Sequence, residues 1–66
     1  MELSREKINV AMARKKMTIA ELAGVYGASR ARMNVILNQR FVTPMTAGRM
    51  AEALGVDVTE IIETED

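Results

Sequence analysis

The side chains with the most suggestive chemistry in this chain lie together in residues 29–38, which read SRARMNVILN. An asparagine such as Asn34 can form two hydrogen bonds with the edge of an adenine, and an arginine can do the same with guanine. Ala31 and Val35 are suited to contact thymine methyl groups. These residue types therefore favour contacts with base edges in the major groove of DNA.

Helical spacing divides this stretch into two sides. At about 100° per residue, the apolar side chains fall on one side, which is expected to face the core: Met33, Ile36 and Leu37. The opposite side is centred between Ala31 and Val35, with the two asparagines beside them. Arg30 and Arg32 lie at its edges, from which arginines can reach phosphates. An ordinary solvated helix face or a surface for a protein partner would carry the same pattern, and both alternatives stay open.

The chain contains signals for five helices and no strand pattern, which predicts an all-α domain of five helices. Thr18 and Glu21 have the spacing of a capping box, and Gly27 is placed to end the second helix. The stretch from residue 18 to residue 38 thus has the form of a helix-turn-helix. The expected helices, and the acidic tail that follows them, are at about residues 4–16, 19–25, 29–38, 44–54, 58–63 and 63–66.

A chain of 66 residues suffices for a single domain, residues 1–66, with a small core. It contains no cysteine and no histidine, which removes disulfides, thiolate nucleophiles, the usual zinc ligands and the commonest general base. We therefore expect no enzyme activity, no catalytic residue, no metal and no cofactor. The absence of disulfides fits a reducing cytoplasm, which is the expected location. No apolar run approaches the roughly 20 residues of a membrane-spanning helix, so no membrane partner is expected.

The net charge of zero hides an asymmetry along the chain. Residues 1–40 carry eight basic and three acidic side chains, whereas residues 41–66 carry one basic and six acidic side chains. A surface that binds DNA needs local positive charge rather than a positive total. The first part of the chain provides that charge.

Residues 18–43 resemble, without a gap, the helix-turn-helix of the lambda-repressor and Cro family. The residues that carry the resemblance are Leu22, Ala23, Gly27, Met33 and Ile36, followed by the stretches 42–44, 46–47 and 49–56. The resemblance extends over about residues 4–62. It implies a compact five-helix domain that binds double-stranded operator DNA, often as a homodimer on a two-fold site.

The same resemblance assigns roles to individual residues. The positions that match base contacts in the family are Arg30, Ala31, Asn34 and Val35. The positions that match phosphate contacts are Thr18, Ser29, Arg32, Asn38 and Arg40. The residues that would pair two fifth helices in a dimer are Val58, Ile61 and Ile62, although packing inside the monomer is an equal alternative for them.

A few positions depart from the family pattern. Ile19 stands where many relatives have glutamine, Gly24 interrupts a helix, and Gln39 replaces a frequent glycine. Phe41 occupies a loop position that is often basic, and we expect its ring to fill the space between the third and fourth helices. These departures concern the affinity for DNA and the register of the domain on the duplex more than they concern the fold.

Two functions agree with these residues. The first is a sequence-specific DNA-binding transcriptional regulator, a small repressor-like or Cro-like protein of the kind that accompanies prophages and mobile elements. The alternative is a protein-interaction module of the same fold, such as an antitoxin or an anti-repressor that binds another regulator. Binding of the purified chain to DNA at low salt distinguishes the two.

Overall fold

The computed structural model describes residues 1–63 and contains four α-helices, which we call α1 to α4. They span Arg5–Lys15 (α1), Ile19–Tyr26 (α2), Arg30–Asn38 (α3) and Pro44–Leu54 (α4), and Val58–Glu60 forms one turn of 3₁₀-helix. No strand occurs in this part of the chain, so the predicted all-α class is confirmed. No helix in residues 1–63 has both the length and the apolar character needed to cross a membrane. The end of the predicted acidic tail, residues 64–66, lies outside the described residues.

The prediction of a fifth α-helix over residues 58–63 was wrong, because the segment forms only the single 3₁₀ turn. After this turn, the carbonyl oxygen of Ile61 accepts a hydrogen bond from the backbone N–H of Ser4 at 2.8 Å. Ile62 pairs with Leu3 in an isolated β-bridge. Pairing with the N-terminal segment therefore replaces the expected continuation of the helix.

A side-chain hydroxyl starts each of the four α-helices. Its oxygen accepts a hydrogen bond from the backbone N–H three residues later, which otherwise has no partner in the helix. The capping residues are Ser4, Thr18, Ser29 and Thr43, with distances of 3.2, 3.1, 3.1 and 3.2 Å. The helix starts are therefore determined by the local sequence.

Acidification is expected to weaken the start of α2. The backbone N–H of Thr18 donates a hydrogen bond to the Glu21 carboxylate at 3.0 Å, and this bond lowers the pKa of Glu21 below its ordinary value of 4.5. Because the pKa is lower in the folded chain than in the unfolded one, the associated stability is present above about pH 4.5. It is lost as the pH falls through the folded pKa.

Urea unfolding at neutral and at acidic pH measures this effect in the wild type and in Glu21→Gln. Glutamine suits the same position of a capping box but does not titrate. The wild type is expected to lose more stability on acidification than the variant. Equal losses would show that Glu21 contributes nothing to the pH dependence.

The centre of the fold is α4, which packs against α1, α2 and the 3₁₀ turn, whereas α3 packs mainly against α2. Each of the four α-helices contributes at least one large side chain that is fully buried. These side chains, together with one that follows the 3₁₀ turn, are Ile8, Leu22, Met33, Met50, Leu54 and Ile61. The arrangement leaves one side of α3 open to solvent.

Residues 1–4 form an extended segment that lies between two other parts of the backbone. On one side it pairs with residues 40–42, in the loop that follows α3, and on the other with residues 61–63. The hydrogen bonds are Leu3 N to Arg40 O (2.9 Å), Val42 N to Met1 O (2.7 Å), Ser4 N to Ile61 O (2.8 Å) and Glu63 N to Glu2 O (2.9 Å). This segment holds the loop after α3 in place from outside the helix-turn-helix.

Candidate nucleic-acid interface

A three-residue turn joins α2 to α3. Gly27 ends α2 with a φ of 93°, a left-handed backbone conformation that glycine adopts without steric cost. The N–H groups of Gly27 and Ala28 both donate to the carbonyl oxygen of Ala23 at 2.9 Å, which closes the last turn of α2. Ser29 then has an extended backbone and caps α3. The two helices and this turn form the helix-turn-helix that the sequence predicts.

One side of α3 is buried and the other is exposed to solvent. The buried side chains are those that the helical spacing predicts, Met33, Ile36 and Leu37. We call the exposed side the outer face; it consists of Arg30, Ala31, Asn34, Val35 and Asn38. The polar side chains of the outer face form no hydrogen bond or ion pair with any other group in residues 1–63. They are therefore free to bind a partner.

The residues predicted to contact phosphates lie at helix ends and in the loop after α3. Thr18 and Ser29 are exposed capping residues, and the hydroxyl oxygen of each accepts a backbone hydrogen bond. Each hydroxyl retains its own proton, which it can donate to a phosphate oxygen. Arg32 lies in the first turn of α3, and Asn38 ends the helix. All of these residues, and Arg40 in the loop, are exposed.

Arg40 has a partner that the sequence did not predict. Its Nε donates to a carboxylate oxygen of Glu2 at 2.6 Å, in an ion pair whose side chains are 78% and 29% exposed. The hydrogen bond to Glu2 and the charge of its carboxylate raise the pKa of Arg40 above its ordinary value. The two residues are 38 positions apart, so no local pattern indicates the contact. The loop after α3 thus carries a cation whose charge is partly compensated.

Phe41 does not fill the space between α3 and α4, and this prediction was wrong. Its side chain is 68% exposed. The backbone of Phe41 pairs with Glu2 in a β-bridge, and successive side chains along an extended backbone point to opposite sides. Val42 therefore packs against the core, while Phe41 points outward.

The three residues predicted at a dimer interface differ in their exposure. Ile61 is completely buried in the core of the monomer, so it offers no surface to a second chain. Val58 and Ile62 are partly buried and pack against the same core. The segment also forms only a single 3₁₀ turn, so it provides no fifth α-helix that could pair with that of a second chain.

The helix-turn-helix and the loop after it are free of acidic side chains from the second turn of α2 onward. Residues 22–51 contain four arginines and no aspartate or glutamate. No cluster of acidic residues that could hold a metal ion occurs anywhere in residues 1–63. Residues 22–51 therefore carry a net positive charge, of which only that of Arg40 is partly compensated within residues 1–63, by Glu2, and this favours a polyanion as the partner.

The sequence of this helix-turn-helix and its flanking helices was compared with known proteins. Residues 7–66 match a protein-family model described as a Cro/C1-type HTH DNA-binding domain. No curated protein and no solved structure gave a significant match. The family match covers nearly the whole chain and confirms the predicted resemblance to the lambda-repressor and Cro family. The chain belongs to the Cro/C1-type helix-turn-helix DNA-binding domain family.

Proposed function

We propose that the chain is a sequence-specific transcriptional regulator that acts in the cytoplasm by occupying operator DNA. The observation that carries this proposal is the outer face of α3, whose arginine and asparagine side chains are exposed and unpaired within residues 1–63. In a family of DNA-binding domains, an unpaired polar face on the helix after a tight turn suits the major groove.

The proposed base contacts come from four side chains of the outer face. Asn34 can form two hydrogen bonds with an adenine, and Arg30 can form two with a guanine. Ala31 and Val35 supply apolar contact for thymine methyl groups, and the side chain of Val35 is 49% exposed. Sequence preference is therefore expected to come from these four residues.

The proposed phosphate contacts come from Thr18, Ser29, Arg32, Asn38 and Arg40. Contacts with phosphates hold a protein in register on the duplex but do not read its sequence. Arginines that neutralise phosphates release bound counterions, which makes affinity depend on salt. The absence of carboxylates from residues 22–51 supports such binding, because no acidic side chain in that segment repels the DNA backbone.

Replacing Arg40 with alanine is expected to weaken DNA binding about equally for every sequence, because a phosphate contact carries no sequence information. The slope of log affinity against log salt should become shallower by about 0.9. Glu2→Gln removes only the carboxylate beside Arg40, so it should strengthen binding. Fluorescence anisotropy with a selected and a scrambled duplex measures both effects. A loss confined to the selected duplex would contradict the assignment of Arg40 to a phosphate.

Selection of bound oligonucleotides from a random pool tests the proposed function itself. Repeated rounds with the full chain should enrich a common sequence, and two inverted copies of it would indicate a homodimer on a two-fold operator. Recovery of random sequences after several rounds at low salt would contradict sequence-specific binding.

A second candidate function, a protein-interaction module such as an antitoxin or an anti-repressor, is supported by two large apolar side chains on the surface. Phe41 and Met45 are 68% and 74% exposed, in the loop after α3 and in the first turn of α4. Aromatic residues and methionine are enriched where one protein binds another. A purified chain that binds no DNA at low salt but forms a stoichiometric complex with another regulator would favour this function over the first.

A further inference from the structure

Arg49, on α4, reaches across to the point where α2 ends. Its Nη2 donates a hydrogen bond to the carbonyl oxygen of Tyr26 at 3.0 Å. Its guanidinium carbon lies 4.4 Å from the centroid of the Tyr26 ring. A Cβ atom added to Gly27 would lie 3.8 Å from the same Nη2. The Arg49 side chain thus contacts the last residue of α2 and lies beside the glycine that begins the turn.

The carbonyl groups at the end of α2 require hydrogen-bond donors from outside the helix. The last carbonyl groups of a helix have no donor within the helix, and the last turn of α2 contains no basic residue. A cation near these carbonyl groups also interacts favourably with the negative end of the helix dipole. Arg49 supplies the donor and the charge from another helix, and its stacking on Tyr26 fixes the direction from which it approaches.

The contact lies beside the turn that leads into α3. This helix packs mainly against α2, and α2 packs against α4, so α2 connects the scaffold to the helix that carries the outer face. Beside Arg49 lies a cleft of about 490 Å³ whose walls include Ser29, Arg32 and Ile36 of the α3 region. With open space on that side, the orientation of α3 is set by its buried side chains and by the turn that leads into it.

We propose that Arg49 is a positioning residue for DNA recognition: it locks the turn between α2 and α3 and thereby orients the outer face, without contacting DNA itself. The proposal rests on the proposed function of DNA binding, and it adds to that function a residue outside the helix-turn-helix. A lysine cannot replace Arg49, because an ammonium group lacks the planar fork that stacks on an aromatic ring while its N–H groups donate in the plane of the guanidinium.

The test compares Arg49→Gln and Arg49→Lys with the wild type, at a temperature where circular dichroism shows all three to be folded. Both variants should bind the selected duplex about five- to tenfold more weakly, the size expected when a residue that does not touch the ligand orients the surface that does. Binding to a scrambled duplex should change less, and the salt slope should stay the same. Arg14→Gln, which removes the same charge from α1, is the matched control and should bind like the wild type.

Two results would overturn the proposal. A salt slope that becomes shallower by about 0.9 in Arg49→Gln would identify Arg49 as a direct phosphate contact. Full binding by Arg49→Lys would mean that positive charge alone is sufficient.

A measurement without DNA separates this proposal from the proposed function. Tyr26 is the single tyrosine and the chain has no tryptophan, so the emission reports on the surroundings of Tyr26. The emission should change in both Arg49 variants and stay constant in Arg14→Gln. The Gly27 amide, which donates to Ala23 at 2.9 Å, should exchange hydrogen with solvent faster in both variants.

If the wild type binds no DNA, the proposed function fails, while these two measurements still report on the turn. Unchanged emission and unchanged exchange would overturn the proposal for Arg49.

Discussion

Replacing Met33 with alanine is expected to destabilise the domain by about 2–5 kcal/mol, the usual cost of removing a buried methionine side chain from a core. Met33 has no exposed surface and lies on the side of α3 that packs into the domain. In domains of this length the core rarely supplies more than about 3–5 kcal/mol of stability. A large fraction of the variant should therefore be unfolded at room temperature.

Urea unfolding followed by circular dichroism measures this loss, with Val35→Ala as the matched control on the same helix. Val35 lies on the outer face and is 49% exposed, so its truncation should change the stability by at most about 0.5 kcal/mol. Equal losses for the two variants would contradict the assignment of the buried and outer sides of α3.

Replacing Asn34 with alanine is expected to have the opposite pattern of effects. The free energy of unfolding should change by at most about 0.5 kcal/mol, because the side chain is exposed and unpaired within residues 1–63. Binding to the selected duplex should weaken by about 1–3 kcal/mol, and discrimination at one base pair should be lost, since a bidentate contact with adenine disappears.

The measurement is the affinity of the wild type and the variant for the selected duplex and for duplexes that carry single base-pair changes. The variant should bind the selected duplex and the duplexes changed at the base pair that Asn34 contacts with similar affinity. Arg40→Ala is the comparison, because it should lower every affinity by the same factor. If Asn34→Ala also lowered every affinity equally, Asn34 would not be a base contact.

The start of every α-helix and the glycine that ends α2 could be predicted because their causes are local. A hydroxyl that accepts a hydrogen bond from the backbone N–H three residues later can be recognised in a window of four residues, as at Thr18 and Ser29. The two sides of α3 could be predicted for a similar reason, since a helix of 3.6 residues per turn fixes which side chains lie together. The candidate interface is made largely of such local features.

The parts that could not be predicted depend on contacts between residues far apart in the sequence. The extended segment 1–4 pairs with two other segments, and this pairing replaces the continuation of the expected fifth helix. The same pairing exposes Phe41, because it fixes which side of the extended backbone that residue occupies. The ion pair between Glu2 and Arg40 spans 38 positions, and no periodic pattern in the sequence links its two ends.

Changes in the amide chemical shifts of a ¹⁵N-labelled sample test most directly whether the outer face of α3 binds DNA. The full chain is titrated with the duplex recovered from the random pool, at low salt. The predicted result is that the largest shifts fall in Arg30–Asn38 and in the backbone of Thr18 and Arg40, while the amides of α1 change little. Shifts concentrated in α1, or none at saturating DNA, would contradict binding through the outer face.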